Sequence, residues 1–155
     1  MKKALFLLTF CCAALVASAQ DFYVRSVGTA ADGSYLVGVT VNVKKKLPTS
    51  AEDLVMRYAV EGVMFNGLTN ASGMTSQKPL IKDPDVRQTK AAFFEAFNNE
   101  KAYQRYCSIV PQTLISMKNK KTKMIETTAT VVVNKEELQH YLEESGVIKG
   151  FSSLW

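Results

Sequence analysis

Residues 123–146 read KMIETTATVVVNKEELQHYLEESG, a strand pattern that continues directly into a helix pattern. Over 125–133 every second residue is able to face a core, which is the period of a half-buried strand. Asn134 then supplies a side-chain oxygen that caps a helix start, and Glu137 follows in the capping-box position. Gly146 suits the positive φ with which many helices end. The stretch predicts a strand followed by a capped helix.

The rest of the chain predicts an α+β domain with a four-stranded antiparallel sheet and helices packed on one face. A turn at Asp32-Gly33 joins the first two strands, and Pro111 places the third strand at a sheet edge. The expected element order is β-β-α-α-β-β-α. In chain order, the predicted elements are strands over 21–28 and 35–45, a helix from about 50 to 62, a helix opened by Asp83 or Asp85, an edge strand over 109–117, and the strand-helix unit.

The N-terminus has the pattern of a signal peptide over residues 1–19. Lys2 and Lys3 precede an apolar run over 4–16, and Ala17-Ser18-Ala19 forms a small-residue cleavage site. The apolar run is too short for a transmembrane anchor, which needs about 20 residues. A lipoprotein is disfavoured because the bulky Phe10 precedes Cys11. Residues 20–155 are therefore predicted to form a single exported domain with no transmembrane segment.

Few residues of the predicted mature chain suit catalysis or metal binding. Cys107 is its one cysteine, so an internal disulfide is excluded, and we expect its thiol to be buried. His140, the one histidine, falls on the solvent side of its helix. We predict no catalytic, metal or cofactor site and no cofactor. Acidic residues distant in sequence can still meet in a fold, so a carboxylate or hydroxyl hydrolase stays open.

Two regions are candidates for binding a partner. The segment 66–84 has no regular period and is longer than most loops, which is typical of functional or mobile loops. Lysines also gather at two strand ends that an antiparallel pairing would bring together, although such lysines commonly serve to block sheet-to-sheet association. The candidate partner-binding residues are Ser76, Gln77, Lys78, Lys44, Lys45, Lys46, Lys120 and Lys121.

Several short stretches resemble an uncharacterised family of small exported bacterial proteins that carry signal peptides. The resemblance implies export but brings no reaction, cofactor or site residue with it. The stretches are Gly28-Thr29 with Asp32-Gly33, AVEGVMFNG over 59–67, SQKPL over 76–80, Phe93-Phe94 with Phe97, Val133-Asn134-Lys135, Leu142-Glu143, and GVIKG over 146–150.

Together these features predict an exported, non-enzymatic binding or assembly module of the bacterial envelope. We expect it in the periplasm or at the cell surface, or released, with another envelope protein as partner. The alternatives are a small envelope hydrolase and a protein that binds an anionic polymer or lipid. The whole chain has a net charge of +5, of which Lys2 and Lys3 supply two units, and this mild charge does not indicate a nucleic-acid partner.

Overall fold

Strands from both halves of the chain build one antiparallel sheet in the computed structural model, which describes residues 22–43 and 50–150. The strands are β1 (Phe22–Thr29), β2 (Tyr35–Val43), β3 (Leu68–Thr69), β4 (Thr75–Gln77), β5 (Cys107–Ile109), β6 (Ile115–Lys118) and β7 (Ile125–Val133). β1, β2 and β7 lie side by side, and β5 and β6 both pair with the remaining edge of β7. β3 and β4 form a separate two-stranded sheet.

Helices follow β2, β4 and β7 along the chain. In the described residues they are α1 (Ala51–Glu61), α2 (Val86–Thr89), α3 (Ala91–Asn99) and α4 (Lys135–Glu144). α1 continues without a break into a π-helical turn, Gly62–Asn66, and a 3₁₀ turn spans Ala102–Arg105.

The core lies on one face of the sheet. Side chains alternate between the two faces of a strand, and in β2 and β7 every second residue is buried. Val37 and Val131 face each other across the two strands and are completely buried. Leu138 and Leu142 of α4 belong to the same buried cluster. The helices therefore cover this face, and within residues 22–43 and 50–150 no element packs on the opposite face.

A break near Pro111 divides the edge strand into β5 and β6. The N–H of Val110 still donates to the carbonyl of Thr130 at 2.8 Å. Pro111 has no N–H to offer, and Gln112 has a φ of 64°, which a continuous strand does not allow. Pairing with β7 resumes at Ile115.

The predicted α+β class with an antiparallel sheet is confirmed, but the predicted strand number and element order are not. The sheet has five strands because the edge strand is divided at Pro111. The segment 66–84, predicted to lack regular structure, contains the β3–β4 hairpin. The predicted signal peptide, residues 1–19, lies outside the described residues.

Candidate binding groove

A groove of about 790 Å³ opens between the segment 76–83 and α4. Its lining also includes Tyr35 at the start of β2, Val86, and residues 147–149. Small-molecule sites in proteins commonly have volumes of about 300–1,000 Å³. The groove thus has the size of a ligand site.

One wall is held by the π-helical turn that extends α1. The N–H of Leu80 donates to the carbonyl of Val63 at 3.2 Å, and the N–H of Ile81 donates to the carbonyl of Met64 at 2.9 Å. Carbonyls in the last turns of a helix lack partners within the helix, so they are free to accept these bonds. Because Val63, Met64 and Ile81 are all buried, this wall is fixed to the core.

A sharp turn at Gly67 brings the β3–β4 hairpin beside the groove. Gly67 has a φ of 69°, and a Cβ there would collide with the carbonyl oxygen of Gln77. Only glycine fits such a position without strain. At the tip of the hairpin, Asn70 Oδ1 accepts from the N–H groups of Ser72 and Met74, each at 3.1 Å. The turn is therefore specified by its own residues.

The other wall is a single face of α4. Lys135, Gln139 and Glu143 follow one another at four-residue spacing, which places them on the same side of a helix. Gln139 Nε2 donates to Glu143 Oε1 at 2.9 Å. At the helix start, Asn134 Oδ1 accepts from the N–H of Glu137 at 3.2 Å, as predicted.

The predicted capping box is only half formed at this helix start. The reciprocal bond would use the N–H of Asn134, but this group donates to the carbonyl of Tyr106 at 2.8 Å. α4 is thereby joined to the segment that leads into β5.

The chain returns to the groove after α4. Gly146 has a φ of 64°, as predicted, and the N–H of Val147 donates to the carbonyl of Leu142 at 2.9 Å. Val147 is buried, and Lys149 reaches the rim.

Positive charge dominates the groove. Four lysines line it against two carboxylates, and among the described residues none of the four forms an ion pair. One of the carboxylates, Asp83, already accepts from the N–H of Asp85 through Oδ1 at 2.9 Å. Lys135 Nζ lies 5.6 Å from the ring centre of Tyr35, within range of a cation–π interaction. The four lysines are Lys78, Lys82, Lys135 and Lys149.

The predicted partner-binding residues fall into two separate places. Ser76, Gln77 and Lys78 line the groove. Lys120 and Lys121 lie in the exposed β6–β7 turn at the other end of the sheet, where both Val43 and Lys118 pair with Ile125. The antiparallel pairing on which the shared lysine edge depended is present between β2 and β7. Lys44, Lys45 and Lys46 follow Val43 in sequence and lie outside the described residues.

Sequence reasoning missed the lysines that α4 and its end contribute. Lys135 is the second residue after β7, and Val133, the last residue of β7, pairs with Tyr35 of β2. An antiparallel pairing of β2 with β7 would have indicated the position of Lys135. The end of β7 and the start of β2 then lie at the same end of the sheet, so residues next to them are close together. Lys149 and Lys82 gave no such signal, since their positions depend on loop geometry.

A second, shallower concavity of about 450 Å³ gathers acidic residues beside α4. Glu136, Glu137 and Glu144 line it together with His140. His140 Nδ1 lies 3.5 Å from Glu144 Oε1, and the two side chains are 71% and 69% exposed. The predicted solvent position of His140 is confirmed. All three carboxylates come from one helix surface, which is the arrangement expected of solvated charges.

Cys107 packs against the core but is only partly buried, whereas a buried thiol was predicted. Its Sγ lies 3.3 Å from the carbonyl oxygen of Tyr103, and burial raises the pKa of its thiol to about 12. A thiol with this pKa is a poor nucleophile near neutral pH. Within residues 22–43 and 50–150, no three His, Cys, Asp or Glu side chains are placed to hold a metal ion.

Comparison with protein-family models, with curated proteins and with solved structures finds no match to the chain. In the part of the chain that the structure describes, no helix is both long and apolar enough to cross a membrane.

Proposed function

We propose that the protein is an exported, non-enzymatic binding module of the bacterial envelope whose groove holds a small anionic amphiphile. A carboxylate or phosphate head group with an attached apolar chain is the ligand chemistry that fits. The observation that carries the proposal is the set of four lysines, without ion-pair partners among the described residues, around a groove whose lining also includes apolar side chains. Export is supported by the N-terminal sequence pattern.

The charges favour an anionic head group. Two of the groove lysines, Lys135 and Lys78, stand on opposite walls, so an anion between them is attracted from both sides. A groove lined mainly by one sign of charge raises the local concentration of oppositely charged ligands. Four lysines against the two carboxylates of Asp83 and Glu143 leave the groove lining with a net positive charge, and each carboxylate already accepts one hydrogen bond from the protein.

The apolar part of the ligand would lie on the inner surface of the groove. Leu80 and Ile148 are half-buried there, and Ile81 and Val147 are buried beneath them. Burial of an apolar chain contributes about 0.8 kcal/mol per CH₂ group. The head group and the apolar chain of the ligand therefore make separate contributions to the binding free energy, and titrations with charged and uncharged ligands can distinguish them.

The alternatives receive less support. The groove has only two carboxylates, each with a structural hydrogen bond, and the acids beside His140 are strongly exposed. A long anionic polymer would instead use the lysines of the β6–β7 turn.

An NMR titration of the purified protein with dodecyl phosphate below its micellar concentration tests the proposal, with dodecyl maltoside as the uncharged probe. We expect dodecyl phosphate to shift the amide signals of residues 76–83 and of α4, with affinity that falls as salt is added. The variant Lys78→Gln/Lys82→Gln/Lys135→Gln should weaken binding roughly tenfold or more, since each exposed charge contributes up to about 1 kcal/mol.

The matched control is Lys118→Gln/Lys120→Gln/Lys121→Gln, which removes the same charge from the opposite end of the sheet. It should bind dodecyl phosphate like the unchanged protein. Equal loss in both variants would show nonspecific attraction and contradict the proposal. Binding of an acidic peptide but not of dodecyl phosphate would also contradict it.

A further inference from the structure

The open face of the main sheet is poor in charge and carries most of the exposed apolar side chains. In the described residues, five large hydrophobic side chains are strongly exposed, and four of them lie on this face. Strand register puts Tyr23, Thr40, Thr128 and Ile115 in one row across it. The four exposed side chains are Tyr23 (56%), Val27 (52%), Ile115 (51%) and Met117 (60%).

Glycine and threonine occupy the centre of the face. Gly38 has no side chain, and Val27 and Arg25 lie over it, so that a Cβ at Gly38 would be 2.9 Å from Val27 Cγ2. The neighbour of Gly38 on β7 is Thr130. Antiparallel sheets commonly leave one face in water, but a group of exposed apolar side chains on such a face is typical of an interaction surface.

Two charged side chains are present on the described part of this face, and their signs are opposite. Arg25 is on β1, and Glu126 is on β7, beside Asn42 and Met117. The described part of the face is therefore electrically neutral although the chain as a whole is basic. Two copies of this face can meet without net repulsion, and each then offers one cation and one anion to the other.

The area agrees with a weak dimer. β2 has nine residues and the sheet has four strand positions, so the face measures about 30 Å by about 20 Å at the usual strand dimensions. That is roughly 600 Å² per copy, at the lower limit for specific protein interfaces. Two such faces would stack about 10 Å apart, as in a β-sandwich.

We propose that two copies of this chain pair face to face through the open sheet surface formed by β1, β2, β7 and β6. The pairing buries Ile115 and Met117 together with Tyr23 and Val27. It leaves the lysine-lined groove free, because the groove lies at one end of the sheet with α4. The expected dissociation constant is micromolar, given the modest area.

Sedimentation equilibrium of the purified protein from about 1 µM to about 500 µM tests the proposal, since this range spans the expected dissociation constant. We expect a reversible monomer–dimer equilibrium. Met117→Lys puts like charges into the contact and should raise the dissociation constant at least tenfold. Met74→Lys is the matched control: Met74 is also strongly exposed, 65%, but belongs to the β3–β4 hairpin tip, and this variant should dimerise normally.

A pair of charge variants tests the complementarity. Arg25→Glu gives every face two acids and should weaken the dimer several-fold, and the double variant Arg25→Glu/Glu126→Arg should restore it. A monomer at every concentration would overturn the proposal. Equal behaviour of Met117→Lys and Met74→Lys, or no recovery in the double variant, would overturn it as well.

Discussion

The hydroxyl of Thr113 replaces a missing strand partner of Thr130. Thr113 Oγ1 accepts from the backbone N–H of Thr130 at 3.0 Å and donates to the carbonyl of Val110 at 2.7 Å. The hydroxyl therefore provides a hydrogen-bond acceptor for the backbone of β7 at the point where the edge strand leaves the sheet. Pro111 and Gln112 lie at that point.

Thr113→Val keeps the shape of the side chain but leaves the N–H of Thr130 without this acceptor. We expect the free energy of unfolding to fall by about 1–2 kcal/mol, the usual cost of an unsatisfied, partly buried donor. Thr113→Ser keeps the hydroxyl and should cost less. Urea unfolding of the three proteins measures the difference, and equal losses for Val and Ser would contradict the assigned role.

Asn134 should stabilise α4 through its cap. Asn134→Ala removes the acceptor for the N–H of Glu137 and should lower the free energy of unfolding by about 1 kcal/mol. Asn134→Gly should cost only a few tenths of a kcal/mol, because glycine caps helices nearly as well. Thermal and urea unfolding measure the stabilities of the two variants. If the alanine variant is as stable as the glycine variant, the side chain of Asn134 does not act as a helix cap.

The buried thiol of Cys107 should make stability depend on pH in the alkaline range. Burial raises the pKa of the folded thiol from 9.0 to about 12, so the unfolded chain loses its proton first. The stability from this group is fully present below pH 9.0 and is lost as the pH rises toward 12. In the Cys107→Ala variant, the free energy of unfolding should fall less steeply as the pH rises. Unfolding curves of both proteins at several pH values measure the difference. At pH 8, the native thiol should react with iodoacetamide far more slowly than the unfolded one.

Cleavage after Ala19 is expected when the full chain is made in a bacterium. Intact mass of the protein from the periplasm or medium should correspond to a chain that begins at Gln20. Ala19→Asp should block processing, because the cleavage site requires a small residue. A full-length protein that stays in the cytoplasm would refute the export prediction.

The strand-helix unit was predictable because its signals are local. The alternation in β7 and the side chain of Asn134 act within a few residues of where they stand in the sequence. The division of the edge strand was not predictable, because Pro111 indicates only an edge strand and the positive φ of Gln112 has no signal in the sequence. β3 has two residues and β4 has three, too few for a periodic signal.

For the groove, the sequence indicated the wall formed by Ser76, Gln77 and Lys78 through the unusual length of its segment. Strand pairing brings Lys135 to the end of the sheet near Tyr35, but the position of Lys135 and Lys149 opposite this wall depends on the packing of α4 and of the segment that follows it. The order of strands across the sheet, which pairs Tyr35 with Val133, is what joins the distant segments.

The nine-residue length of β2 sets the distance between the two lysine groups. One group surrounds the groove beside Tyr35, and the other lies in the β6–β7 turn, next to the pairing of Val43 with Ile125. Nine residues at about 3.3 Å each span roughly 30 Å, several times the Debye length of about 8 Å at physiological ionic strength. The two ends of the molecule are thus electrostatically independent. One end can change its charge in evolution or by design while the other keeps its ligand preference.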